Sequence, residues 1–157
     1  MKLIYTCYGG SHSSVTAAAI HLGYLPCHGR SSYEQFYTIP FYDEMDEDQL
    51  GKWVFMGTDE FNNDIYICGV KGDKDLAINA VYSYLNISGM TADHIIMVDA
   101  LITLHPLTSI GGYMSRHLNW VRLGRPLSIM GIMCTYDQFV RLVDKVKEYE
   151  KNFYDIY

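Results

Sequence analysis

The chain lacks any apolar run of the ~20 residues that a membrane-spanning helix needs, which excludes a helical membrane anchor within it. It is also short of positive charge: 12 Lys and Arg stand against 18 Asp and Glu, a net charge of −6. Proteins that grip nucleic acid neutralise backbone phosphates with a basic stripe, so nucleic acid is excluded as the main partner. The arginines are few and mostly late (Arg116, Arg122, Arg125), enough to clamp one small anion. No two of the cysteines, Cys7, Cys27, Cys68 and Cys134, stand in C-x-x-C spacing, which removes a thioredoxin motif or a zinc ribbon. Cys68 and Cys134 lie in apolar runs and are expected to be buried free thiols. Cys27-His28 has no further ligands at metal-binding spacing. Met1-Lys2 leads directly into a strand-like segment, which leaves no room for a secretory signal and makes a cytoplasmic location the expectation. Linkers, repeats and low-complexity tracts are missing too, so residues 1–157 read as one domain of ordinary size.

What is present alternates between strands and helices. Leu3-Ile4-Tyr5-Thr6-Cys7-Tyr8, β-branched and aromatic, runs into Gly9-Gly10 and reads as a buried first strand. Ser13 or Ser14 is placed to cap a helix over Val15–Leu22, with Gly23 just past its end and Pro26 beyond. The acidic stretch Asp43–Asp48 reads as a solvated face. Trp53–Gly57 and Ile65–Val70 flank the turn formers of Thr58–Asp64 and read as a hairpin. Asp73 is a candidate cap for a helix through Leu85, and His94–Asp99 has the continuous apolar pattern of a central parallel strand. Pro106 to about Leu123 is expected to be helical, Leu127–Met133 a further strand, and Tyr136–Phe153 an amphipathic closing helix. The order β-α-β-β-α-β-α-β-α predicts an α/β fold, P-loop-like or Rossmann-like: three layers, a mostly parallel central sheet with helices on both faces, and a β-hairpin edge.

Ligands of open α/β sheets bind beyond the carboxyl ends of the strands. The loop after strand one falls there. Gly9 and Gly10 let backbone approach a ligand, Ser11, Ser13 and Ser14 offer hydroxyls, and a helix N-terminus adds free N–H groups. Phosphate is the anion such a cradle suits. The loop departs from G-x-x-x-x-G-K-[ST], because no Lys occurs in it; His12 takes roughly that place, followed by Ser13 where a magnesium-binding hydroxyl would stand. A His donates to phosphate conditionally on pH. Asp99, ending an apolar strand, is a candidate metal carboxylate together with Ser13, as acids at neighbouring strand ends hold magnesium in nucleotide hydrolases. Cys7, just before the glycines, is a candidate thiol nucleophile near a helix N-terminus, although C-x5-R fails because position 13 is Ser. Ile110–His117 holds a second Gly-Gly beside Arg116, which would clamp an anion; close helix packing is the alternative explanation of those glycines. Arg122 and Arg125 either close over the same anion or cap a helix end. Plain structure stands beside each reading: a βα turn for the loop, a capped turn for Asp99, packed or hydrogen-bonded rings for His21, His94 and His117.

The run Tyr5–Ser14 resembles the opening of an uncharacterised family of small proteins from Gram-positive spore-formers. Its members carry a Gly-Gly-x-His-[Ser/Thr]-[Ser/Thr] loop after the first strand, then an Ala-rich helix. Gly57-Thr58-Asp59-Glu60, Val98-Asp99, and Ile110-Gly111-Gly112 through Gly124-Arg125-Pro126 are similar as well. The resemblance implies that the loop and the Gly-Gly-Arg region belong to one scheme; the family is a domain of unknown function.

These residues together point to a phosphate- or nucleotide-binding protein, with a Mg-dependent phosphotransferase or hydrolase as its catalytic form. Gly9, Gly10, Ser11, His12, Ser13 and Ser14 would hold the anion, His12, Arg116 and Cys7 would act on it, and Asp99 and Ser13 would hold Mg. The alternative is a non-catalytic sensor of a small anion, or an interaction module using some of the 14 tyrosines and the tail Phe153–Tyr157; a second copy of the chain is one partner left open.

Overall fold

A computed structural model describes residues 1–72, 74–89, 94–101 and 105–155. Four strands, β1 (Lys2–Cys7), β2 (Val54–Thr58), β3 (Asp64–Gly69) and β4 (Ile95–Asp99), form one open sheet in the order β2-β3-β1-β4. β1 lies in the centre, parallel to β3 on one side and β4 on the other, while β2 pairs antiparallel with β3. The hairpin therefore supplies the antiparallel edge, as its turn-rich connection predicts. Parallel neighbours put Cys7, Gly69 and Asp99 at one edge of the sheet, where Cys7 registers with Gly69 and Thr6 with Asp99.

Helix α1 (Ser13–His21) follows β1 and is buried at every position. Ala17, Ala18 and Ala19 carry little bulk, so its backbone can approach the sheet closely. Gly23, with φ of 74°, follows its last turn, the left-handed exit that a glycine makes easy. Leu3 and Tyr5 of β1 join Val15, Ile20, Ile65, Ile67, Phe139 and Val143 in one core. The last two come from α5 (Tyr136–Asp155), an amphipathic helix of 20 residues. The described residues include no helix long and apolar enough to cross a membrane.

Several expectations are corrected. Leu127–Met133 is not a strand: it belongs to helix α4 (Val121–Cys134), which contains Pro126 and packs against α3 (Pro106–His117). The expected single helix to Leu123 is thus two, separated by a turn in which Asn119 has φ of 54°. The reason is a seam of small residues: Thr108, Gly111 and Ser115 of α3 meet Gly124, Ser128 and Gly131 of α4, all six buried. A methyl group at Gly124 would lie 2.5 Å from the Gly111 carbonyl oxygen, and one at Gly111 would strike the Ser128 amide. Such spacings of three and four are one helical face, and tertiary contact overrides the strand-like composition. Cys134 is exposed, not buried, since it ends α4, whereas Cys68 is buried. Neither Ser13 nor Ser14 caps α1; His12 holds that position with no side-chain capping bond. Helix α2 (Lys74–Ile87) forms as expected, and its proposed cap Asp73 lies outside the described residues.

Candidate functional site

The loop between β1 and α1 packs closely against the end of β3. Gly10 has φ of 73°, a conformation that costs a side-chain-bearing residue free energy. Its α-carbon also faces bare backbone, because a Cβ there would sit 2.9 Å from the Gly69 amide nitrogen. Gly69 in turn lies against Gly9 and Gly10 and accepts the Gly51 amide at 2.8 Å. Beyond the strand ends the chains continue side by side: Val70 donates to Cys7 and Lys71 to Tyr8, each at 3.0 Å. Gly9 itself has open space around its α-carbon. Within the loop the Cys7 Sγ accepts the Gly10 amide at 3.2 Å and lies 3.1 Å from Ser14 Oγ. Ser11 Oγ reaches the Gly9 carbonyl at 3.5 Å.

His12 is held by a residue whose acidic neighbours point to a solvated face. Asp43 is instead buried, and its Oδ1 lies 2.9 Å from His12 Nε2. Its other oxygen accepts the Ser115 hydroxyl and faces Arg125 Nε at 3.6 Å. The Asp43 amide donates to the Ser11 carbonyl at 3.0 Å, and its φ of 62° is one that Asp tolerates better than most residues. Burial alone would push the Asp43 carboxyl up. The hydrogen bond and charge of His12, the Ser115 hydroxyl and the Arg125 charge outweigh it and hold the group below its ordinary value. Arg125 also donates to the Tyr42 carbonyl and pairs with Glu44 at 3.0 Å. It ties α4 to the 42–44 segment and does not close over the loop. Gly112 explains itself here: a methyl group would fall 2.9 Å from His12 Cε1, so the glycine makes room for the ring.

A cavity of about 570 Å³ opens beside this loop. Cys7, Tyr8, Gly9, Ser11, His12 and Ser13 line one wall, and Thr108, Ser109, Gly112, Tyr113, Arg116 and His117 of α3 line the other. Lys71 enters from the end of β3, with Leu50 and Leu101 adding apolar surface and Asp46 one negative charge. Tyr8 and Tyr113 are 54% and 58% exposed, so both rings remain open to a ligand. The fold thus brings the loop and Arg116 to one cleft. Gly10 and Ser14 lie behind the lining, one packed on Gly69 and the other the partner of Cys7.

The model of the family described as "Protein of unknown function (DUF3189)" matches residues 2–148. The chain belongs to that family. No curated protein and no solved structure matches the chain. A family of unknown function carries no residue roles, so the cleft has to be read from its own chemistry.

Two placements bear on that reading. Asp99 ends β4 at the same sheet edge as the loop, but its Oδ1 accepts the Leu101 amide at 2.9 Å and it does not line the cleft. Arg122 is exposed and also lies away from the cleft. The sequence does not single out Asp43 or Lys71, and His117, which reads there as a packed or hydrogen-bonded ring, lines the cleft. Lys71 had a signal, since it follows a strand parallel to β1 and so emerges at the ligand edge. Asp43 had none: an acid in an acidic run looks solvated until the fold brings His12 and Ser115 to it.

Proposed function

We propose that the cleft binds a small phosphorylated molecule, with a nucleotide as the preferred class. The observation that carries this reading is convergence: Lys71, Arg116 and His117 reach the same cavity as Gly9, Ser11, His12 and Ser13 at the start of α1. Free N–H groups and the positive end of a helix favour an anion, and two permanent cations raise that preference for a dianion. Tyr8 and Tyr113 offer faces on which a planar organic portion can stack. His12 uses Nε2 on Asp43, which leaves Nδ1 as its remaining polar atom; when the ring is protonated, Nδ1–H donates to a phosphoryl oxygen. The Walker lysine is missing, and Lys71 supplies a cation from a different strand.

In the catalytic form of this proposal, His12 moves a proton to or from the leaving oxygen while Arg116 and Lys71 stabilise charge on the phosphoryl group. Cys7 is buried in the cleft wall with its sulfur already accepting Gly10 N–H, so its first role here is to hold the loop. Magnesium enters as a companion of the ligand's phosphates, since Asp99 does not line the cleft.

Isothermal titration with inorganic phosphate, AMP and ATP, each with and without magnesium, tests the binding step. The expected result is affinity for at least one, weakened roughly 10- to 100-fold by Lys71→Ala or Arg116→Ala, as loss of a charge-assisted hydrogen bond implies. No heat from any of them at millimolar ligand would end the proposal. Phosphate release from ATP, abolished by His12→Ala, separates turnover from binding.

A further inference from the structure

At the far end of α1, about 12 Å along the helix from its start, three ionisable side chains meet in the interior. His21 ends α1, Asp59 opens the β2–β3 turn and Glu150 lies in the C-terminal half of α5; all three side chains are inaccessible to solvent. We propose that His21, Asp59 and Glu150 form a binding site for a divalent transition metal of the zinc class. This goes beyond the cleft and does not depend on it.

The distances come first. His21 Nε2 lies 3.2 Å from Asp59 Oδ2 and 3.3 Å from Glu150 Oε2, and one ligand atom from each residue lies within 4.8 Å of the others. Zinc bonds of about 2.0–2.1 Å at tetrahedral angles separate ligand atoms by roughly 3.3–3.4 Å. Hydrogen bonding alone leaves the group unfinished. A ring nitrogen carries at most one proton, and two carboxylates converge on this one. Asp59 takes it, and Glu150 Oε2 is left buried with no hydrogen-bond partner. Buried carboxylate oxygens without a donor are rare because desolvating them is costly. Charge points the same way. Among the described residues, His21 is the sole side chain able to carry positive charge within ion-pair distance of either acid. With both carboxyls ionised, even a protonated ring leaves one negative charge over, whereas a dication with a neutral His balances both.

The surroundings are arranged as outer partners of a metal commonly are. His21 Nδ1 lies 2.8 Å from Tyr5 Oη; with the proton on Nδ1 donated to that hydroxyl, the Nε2 lone pair is free to ligate. Asn63 Nδ2 donates to Asp59 Oδ2 at 3.0 Å and to Glu150 Oε1 at 2.7 Å, bracing both acids. Asp59 Oδ1 accepts the Phe61 and Asn63 amides, which fixes Oδ2 toward His21. A bound ion would join α1, the hairpin and α5, so its retention should show in thermal stability.

The test uses the full chain. After loading with zinc sulfate and exhaustive dialysis at neutral pH, elemental analysis should find a single retained equivalent. Zinc at 100-fold above its Kd should raise Tm of the stripped protein by about 5–10 °C, and EDTA should reverse the rise. Glu150→Gln keeps shape and removes one ligand charge; if it folds by circular dichroism, it should lose both retention and the Tm response. Wild-type protein that neither retains zinc nor melts differently with it overturns the proposal without recourse to any variant. So does a Glu150→Gln protein that responds like wild type, which would place the metal on surface histidines.

Discussion

Asp43 combines a buried carboxylate, a left-handed backbone and contacts to His12, Ser115 and Arg125. An asparagine in its place would keep the size and the backbone but lose the charge. Asp43→Asn is expected to cost about 1.5–3 kcal/mol, the range for hydrogen bonds to a charged group, measured by urea unfolding at pH 7. The sign with pH follows from the depressed carboxyl. Its stabilisation is complete above the unfolded value of about 3.9 and disappears as pH falls through the lower folded value. Wild type should therefore lose stability between neutral pH and pH about 3 more steeply than Asp43→Asn, and equal slopes would refute the linkage. At this scale the sequence was half legible. His12 stands out in its loop, and its partner does not, because 31 residues separate them and no periodicity links a turn residue to a helix cap.

The α3–α4 pair shows the same division for an element. Gly111 and Gly112 looked like one motif, and they do different work. Gly111 and Gly124 sit where two helix backbones nearly touch, while Gly112 faces only the His12 ring. Gly124→Ala should destabilise the fold by about 1–3 kcal/mol through overpacking. Gly112→Ala gains about 1 kcal/mol of helix propensity but pushes His12 off Asp43, so it should destabilise less than Gly124→Ala while weakening phosphate binding. Denaturant midpoints paired with titration heats tell the two apart. Strand β1, the hairpin, β4 and α5 were readable because each carries its period in apolar residues. Helix α4 was not: its buried face is built largely on Gly124, Ser128 and Gly131, which no hydropathy pattern registers, and Pro126 disguised the rest.

For the molecule as a whole, α1 is the shared member. Its first turn borders the cleft and its last residue, His21, belongs to the buried cluster. The proposed sites make no common contact, so stabilisation by phosphate ligand and by zinc should add to within about 0.5 kcal/mol. Differential scanning calorimetry with each alone and both together checks this; a joint effect well outside the sum would show α1 transmitting strain between its ends. The sheet order places β1 centrally, and the alternation of strands and helices announced that much. It could not announce which buried polar residues meet, since that depends on how helices far apart in sequence are brought together.

The mutual contact of Gly10 and Gly69 has a kinetic consequence. Gly10 in the loop and Gly69 at the end of β3 touch with no side chain between them, so if the loop binds the proposed anion, its amides are expected to be set before an encounter. A ligand then orders only itself, and the association rate is governed by diffusion and orientation rather than by a slow closing step. Stopped-flow traces would rise in a single phase whose rate grows linearly with ligand concentration. Residence time alone would then distinguish one phosphorylated ligand from another.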